Sequence, residues 1–131
     1  MKKIILTGIA SAALAVSASA EVKVGNPMAV TGPIPDLVAP MLLAVDLAEK
    51  HVNEQGGLFA DGQKYTIVRA DSGCDPTAAV DAVTKLVNVE QVSAIIGPVC
   101  SGATIAQAQS VTMPAGVVHC QFQPLLQLSL A

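Results

Sequence analysis

The residues best suited to chemistry are Val99, Cys100 and Ser101, which join an apolar run, Val92–Ile96, to a helical pattern. The apolar run is typical of a strand covered on both faces of a parallel sheet, and Ser101 stands where a helix N-cap is expected. A helix N-terminus offers unpaired backbone N–H groups and the positive end of the helix dipole, which attract anions. We therefore predict that this corner holds the carboxylate of a small ligand. The alternative is an ordinary strand-to-helix turn with a capping serine.

The three cysteines, Cys74, Cys100 and Cys120, bear on the same corner. Cys74 and Cys100 each come just after a predicted strand, and we expect those two strands to be neighbours at one edge of the sheet. A disulfide between them is the preferred prediction, and two unpaired thiols are the alternative. The odd count leaves one cysteine over. Because the sequence has no CxxC spacing, we expect no metal site.

The other titratable residues form no recognisable catalytic arrangement. His51 falls on the polar side of a predicted helix and His119 lies near the end of the chain, so neither fits a Ser/His/Asp or Cys/His grouping. Asp71 and Asp75 could act as paired carboxylates, but a loop aspartate and a helix N-cap explain them better. We predict no catalytic residues and no cofactor.

Strands and helices alternate in the part of the chain that leads to this corner. A first strand begins at Val22, and a turn at Thr31–Pro33 separates it from a helix that Asp36 can cap and that starts near Ala39. Apolar residues at three- and four-residue spacing predict that one face of this helix is buried. That face comprises Leu37, Met41, Ala44, Val45, Ala48 and Val52.

The alternation continues to the end of the regular pattern. Tyr65–Val68 is a second strand, and Asp75 followed by Pro76 starts a second helix. Val92–Ile96 is the third strand. The buried face of the second helix comprises Ala79, Val83, Leu86 and Val87, a third helix covers Gly102–Thr112 until Pro114 halts it, and Ala115–Val118 opens a fourth strand.

This βαβαβαβ order with short connections predicts an α/β fold in three αβα layers around a parallel sheet. Ligands bind such sheets beyond the carboxyl ends of the strands. Thr31–Pro33, Asp71–Cys74 and Val99–Ser101 should all lie at that end.

Residues 1–20 are typical of a secretory signal peptide. The segment starts with two lysines, Lys2 and Lys3, Ile4 to Val16 form an apolar run, and Ala18-Ser19-Ala20 fits the small-x-small cleavage pattern, so we expect cleavage before Glu21. A membrane anchor is the weaker alternative, because the run is shorter than the roughly 20 residues that span a bilayer. The expected location is therefore the periplasm, where disulfides are permitted.

Charge narrows the range of partners. The net charge is −3, six of the seven basic residues are lysines, and they form no basic patch. We therefore expect no nucleic-acid partner.

Four segments, in this order and spacing, resemble the N-terminal part of periplasmic substrate-binding proteins for branched-chain amino acids and related ligands, which have the type I periplasmic-binding fold. The segments are VKVGNPMAVTGPI after the leader, HVNEQGGL, ADSGCDPTAAVDAVTKLV around Cys74, and IIGPVCSGATIAQAQ around Cys100. Each segment alone is weak evidence for this resemblance, but the four segments together are specific to the family. The resemblance covers about Glu21 to Val118.

The resemblance implies a binding protein, not an enzyme, whose two α/β lobes close on leucine, isoleucine, valine or a related amino acid and present it to an ATP-driven permease in the inner membrane. It implies a disulfide between Cys74 and Cys100. It also places Val99, Cys100 and Ser101 against the ligand, with the serine near the carboxylate. The position that matches Leu37 can bear an aromatic that covers the ligand, and in this chain leucine stands there.

The end of the chain, His119–Ala131 (HCQFQPLLQLSLA), is unlike the family and shows no cap, turn or period. We therefore expect a signal peptide at 1–20, a partial N-terminal lobe at 21–118 and an off-family, disordered tail at 119–131. On this interpretation the chain is a truncated transporter component that binds its amino acid weakly or not at all. The alternative is a small exported interaction protein with no small-molecule ligand.

Overall fold

The computed structural model describes residues 21–58 and 62–121. The predicted signal peptide and the predicted tail beyond Gln121 lie outside the described residues. The elements are β1 (Val22–Met28), α1 (Pro35–Glu54), β2 (Tyr65–Asp71), α2 (Pro76–Asn88), β3 (Ala94–Ile96), α3 (Ser101–Gln107), a π-helical stretch (Ala108–Thr112), α4 (Met113–Ala115) and β4 (Val118–Cys120).

The four strands form one parallel sheet in the order β2-β1-β3-β4. The register aligns Val22 with Tyr65, and Val24 with Ala94. With helices on both faces, this confirms the predicted three-layer α/β fold. The expectation that β2 and β3 are neighbours is wrong, because β1 lies between them.

The strand order decides which face of the sheet each helix covers. From β1 to β2 the chain moves towards one edge of the sheet, and from β2 to β3 and from β3 to β4 it moves towards the other edge. Because crossovers between parallel strands are right-handed, α1 lies on one face of the sheet, and α2 and α3 lie on the opposite face. The side chains agree: Val68 and Ala70 pack in the core beneath α2, whereas Arg69, between them, bonds to Asp46 of α1. Within the described residues, α1 is the one helix on its face.

The main core lies between the sheet and α2. The helix starts as predicted, because the Asp75 side chain accepts a 2.8 Å hydrogen bond from the N–H of Ala78 and Pro76 occupies the first turn. Its predicted inner face is confirmed, with Val87 partly buried. The buried core residues are Val83, Leu86, Val92, Ile95 and Val111.

Helix α1 starts earlier and is less buried than predicted. Ile34 is its N-cap and Pro35 its first residue, so Asp36 lies within the first turn, where it does not cap the helix, and Pro40 lies inside the helix. Proline presets the helical φ at the first position, which explains the early start. Of the whole helix only Val38 is fully buried, and Leu37, from the predicted inner face, is 56% exposed.

The expectation that Pro114 halts the third helix is also wrong. Helical structure continues through Ala115 and ends at Gly116, whose φ of +67° is the left-handed conformation that glycine adopts readily. The π-helical stretch precedes Pro114, where the proline ring would otherwise crowd the carbonyl four residues earlier.

Strand β4 includes His119 and Cys120, which the sequence pattern had assigned to the tail. The His119 Nε2 atom lies 2.7 Å from the Gly97 carbonyl oxygen, and the Gln107 side-chain amide donates to the same oxygen at 3.0 Å. The Gly97 N–H donates to the Cys120 carbonyl at 2.8 Å. These bonds tie β4 to β3 and α3, so ordered structure continues two residues beyond the predicted boundary.

Candidate functional site

A disulfide between Cys74 and Cys100 joins the loops that follow β2 and β3. Their Cα atoms are 5.4 Å apart, although the two strands are separated by β1. The loops therefore meet across the carboxyl end of β1, at the edge of the sheet that we call the rim. Both cysteines pack on an apolar cluster below this rim, whose buried members are Met28, Ala29 and Val38.

Cys100, not Ser101, is the N-cap of α3, so the predicted cap is one residue too late. The Cys100 backbone is extended (φ −82°, ψ 121°), and its carbonyl accepts the Thr104 N–H at 2.9 Å and the Thr104 hydroxyl at 3.0 Å. Ser101 is the first helical residue and is exposed. The start of α3, which carries the positive end of the helix dipole, therefore faces solvent at the rim.

The other two predicted ligand residues lie at the same end of the sheet. Val99 is half-buried and packs against the rim cluster together with Cys100. Leu37 lies in the first turn of α1, and its neighbour Val38 belongs to that cluster. The structure thus places Val99, Cys100 and Ser101 together at the rim, and Leu37 in the first turn of the helix whose Val38 packs on the same cluster.

Asp71, at the end of β2, fixes the turn between β1 and α1, a role that the sequence pattern did not reveal. Its Oδ1 atom accepts the backbone N–H groups of Val30 (3.0 Å), Thr31 (3.3 Å) and Gly73 (2.9 Å). Its Oδ2 atom accepts the Thr31 hydroxyl at 2.6 Å. The signal available in the sequence was an Asp-Ser-Gly segment after a strand, which is typical of an Asx turn.

Gly32 allows this turn to approach the loop after β2. Its φ is +95°, and a Cβ atom there would lie 2.3 Å from the carbonyl oxygen of Gly73. A larger residue would therefore force the β1–α1 turn away from the loop that carries Cys74.

We expect the Asp71 network to make stability depend on pH. Partial burial raises the pKa of Asp71, but hydrogen bonds from Thr31, Gly73 and Val30 outweigh it and lower the pKa below its usual value. Because the folded pKa is below the unfolded one, the stabilisation is present above about pH 4 and is lost as the pH falls through the folded value. The unfolding free energy, measured by urea denaturation between about pH 5 and about pH 3, should therefore fall less steeply in Asp71→Asn than in the wild type.

Asp81→Asn is the matched control, because Asp81 lies on the exposed side of α2. This variant should keep the wild-type pH dependence. An Asp71→Asn protein with an unchanged pH dependence would contradict the role given to Asp71.

Other kinds of site are not found within residues 21–58 and 62–121. No group of three His, Cys, Asp or Glu side chains there is placed to hold a metal ion. None of the helices in those ranges has the length and apolarity needed to cross a bilayer.

The parallel sheet, with the loops and the disulfide at its carboxyl end, has the architecture of α/β domains, which bind ligands at that end of the sheet. Residues 21–120 match the family of periplasmic binding proteins, and the chain belongs to that family. It is a family of substrate-binding proteins and not of enzymes.

Two curated relatives and one solved structure illustrate the similarity. The chain is 33% identical to the Leu/Ile/Val-binding protein homolog 7 of Brucella abortus over 105 residues, which cover 80% of this chain and 25% of that protein. It is 33% identical to the Leu/Ile/Val-binding protein of Escherichia coli over 103 residues, which cover 78% of this chain and 27% of that protein. The branched-chain amino acid transporter substrate-binding protein LivJ of Streptococcus pneumoniae, solved with isoleucine, aligns with a TM-score of 0.70 at 28% identity, over 79% of this chain and 30% of that one. The chain thus spans about a quarter of the length of the curated relatives it matches.

Proposed function

We propose that residues 21–120 form one side of the ligand site of an exported amino-acid-binding protein that serves an ABC transporter. Three of the similar proteins support a branched-chain amino acid as the ligand: two are named for leucine, isoleucine and valine, and the third was solved with isoleucine. The observation that carries the proposal is the position of Ser101, at the exposed start of α3 on a rim held by the disulfide.

In this proposal the ligand carboxylate lies against the backbone N–H groups at the start of α3 and the Ser101 hydroxyl, where the helix dipole favours negative charge. The aliphatic side chain of the ligand packs against Val99, which comes just before that start, and against Leu37 in the first turn of α1. The leader at residues 1–20 directs the chain to the periplasm, and an inner-membrane permease is the partner that receives the amino acid.

Binding to this chain alone should be weak. Leu37 is 56% exposed and Ser101 is exposed, so water competes for both sides of the ligand at this rim. Hydrogen bonds that remain open to water contribute little net free energy. We expect a dissociation constant for leucine on the order of 1 mM, which is a binding free energy of about −4 kcal/mol.

The proposal is tested by titrating the isotope-labelled chain with leucine and following the amide signals by NMR. Leucine should shift the signals of Ser101 and Gly102, whereas leucinol, which lacks the carboxylate, should not. Ser101→Ala should weaken binding about 2- to 10-fold, the effect of one hydrogen bond. Ser110→Ala, an exposed serine later in the same helical segment, is the matched control and should bind like the wild type.

Two results would contradict the proposal. Equal shifts from leucine and leucinol would show that the carboxylate is not recognised at α3. Micromolar or tighter binding would show that this chain makes a complete site by itself.

A further inference from the structure

Strand β2 is the outermost strand of the sheet on one side, so its long side away from β1 has no strand partner in the sheet. The Val22 N–H donates to the Lys64 carbonyl oxygen at 2.8 Å. The Ser72 N–H donates to the Met28 carbonyl oxygen at 3.0 Å. The even-numbered residues therefore direct their backbone groups towards β1, and the odd-numbered ones direct theirs outward. The outward-facing residues of β2 are Tyr65, Ile67, Arg69 and Asp71.

Asn53, near the end of α1, covers the first part of this outer side. Its Nδ2 atom donates to the Tyr65 carbonyl oxygen at 2.7 Å, and its Oδ1 atom accepts the Tyr65 N–H at 2.9 Å. Such an exchange of two hydrogen bonds is the pattern of a hydrogen-bonded residue pair between antiparallel strands. The side-chain amide of Asn53 thus takes the place of a strand residue opposite Tyr65.

The outward-facing position before Tyr65 is also covered. Leu58 and Gln63 form an isolated antiparallel bridge, in which the two residues exchange backbone hydrogen bonds of 2.8 and 3.2 Å. Gln63 and Tyr65 are consecutive outward-facing positions. The end of α1 and the residues that follow it therefore close the amino-terminal half of the outer side of β2.

The two halves of this outer side differ in charge. Arg69 and Asp71 are charged and exposed, and charged residues on an edge strand oppose pairing with another chain. In contrast, Tyr65–Val68 is an uncharged run of residues that favour strands. Lys64 precedes this run, but its carbonyl oxygen is paired with β1. The uncharged half is more prone to strand addition, and it is the half that Asn53 covers.

We propose that Asn53 closes the outer side of β2 against the β2 strand of a second copy of this chain. With this side chain in place, the backbone groups of Tyr65 are occupied, and an incoming strand can pair only from Ile67 onward, beside Arg69. Without it, Tyr65 and Ile67 together present open backbone groups on an uncharged strand, and the β2 strands of two molecules can pair.

Hydrogen exchange in the full purified chain, followed by NMR, tests the contact without any change of sequence. The N–H groups of Tyr65 and Ile67 both face outward, but within the described residues only that of Tyr65 has an acceptor. The Tyr65 amide should therefore exchange roughly tenfold more slowly than the Ile67 amide. Equal exchange rates at the two positions would overturn the proposal.

Asn53→Ala removes both hydrogen bonds and opens the outer side of β2. In sedimentation velocity this variant should self-associate roughly tenfold more strongly than the wild type, while circular dichroism confirms that it is folded. The Ile67 amide should gain protection in the associated form, because the added strand bonds to it. Asn88→Ala is the matched control: Asn88 is the exposed last residue of α2, and this variant should behave like the wild type.

Asn53→Asp separates an open strand from a general loss of stability. This variant keeps an acceptor for the Tyr65 N–H, loses the donor to the Tyr65 carbonyl, and places a negative charge beside β2. It should be less stable than the wild type but should not self-associate more strongly, because the charge opposes strand pairing. Association of Asn53→Asp as strong as that of Asn53→Ala would overturn the proposal, as would a folded Asn53→Ala protein that associates no more than the wild type.

Discussion

Reduction of the Cys74–Cys100 disulfide should lower the free energy of unfolding by about 3–4 kcal/mol, the effect expected of a bridge that closes a loop of this length. The reason is that the bridge restricts the unfolded chain across a separation of 26 residues. Because small domains are stable by only about 5–15 kcal/mol, this is a large share of the total. Urea denaturation with and without a thiol reductant measures the effect directly.

Variants separate this bridge from general effects of the reductant. The double change Cys74→Ser with Cys100→Ser should show the same loss of stability, and the reductant should then have no further effect. Cys120→Ser is the matched control, because Cys120 is exposed and unpaired in the structure, and this variant should respond to the reductant like the wild type. Unfolding curves of the wild type that superimpose under both conditions would contradict the prediction.

Leu86→Ala should lower the free energy of unfolding by about 3–5 kcal/mol, the range typical of a buried leucine. Leu86 is 2% exposed and belongs to the core that α2 forms with β2 and β3. Removing its side chain leaves a cavity that the well-packed neighbours, Val83 and Ile95, fill only in part. Chemical denaturation of the wild type and the variant provides the comparison.

A matched pair on the same helical segment checks that burial is the cause. Val83 is fully buried and Val89 is 71% exposed, and both can be changed to alanine. Val83→Ala should cost roughly 1–3 kcal/mol, whereas Val89→Ala should stay within about 0.5 kcal/mol. Equal losses from the two changes would show that helix propensity, not core packing, governs the stability of this region.

The two long helices show where sequence patterns are sufficient and where they fail. Helix α2 has apolar residues on one side and polar residues on the other, so its inner face was predicted correctly. Helix α1 has leucines, alanines and prolines almost all round its first three turns, so periodicity alone could not select the arc that faces the sheet. Proline at position 35 also fits a first helical turn as well as Asp36 fits a cap, and only the tertiary structure decides between them.

The loops that form the rim could be predicted from the sequence, but the strand order and the hydrogen bonds between these loops could not. Alternating strands and helices were enough to place Val99, Cys100 and Ser101 at the carboxyl end of the sheet, because parallel strands bring such loops together. The sequence does not state the strand order, and the expectation that β2 and β3 are adjacent was therefore an assumption. Asp71 and Thr31 are 40 positions apart in the chain. The hydrogen bonds between them form only in the tertiary structure, so no periodic pattern in the sequence predicts them.

The central position of β1 determines how this domain is best attached to a surface. β1 runs from Val22 at the amino end of the sheet to Met28 at the rim, a distance of roughly 20 Å for the six steps between these residues. A tether joined before Glu21 therefore leaves the molecule on the side opposite the disulfide and the start of α3. Immobilisation through the amino terminus should hold the rim outward, towards solution, whereas an attachment placed directly after Cys120 would crowd it.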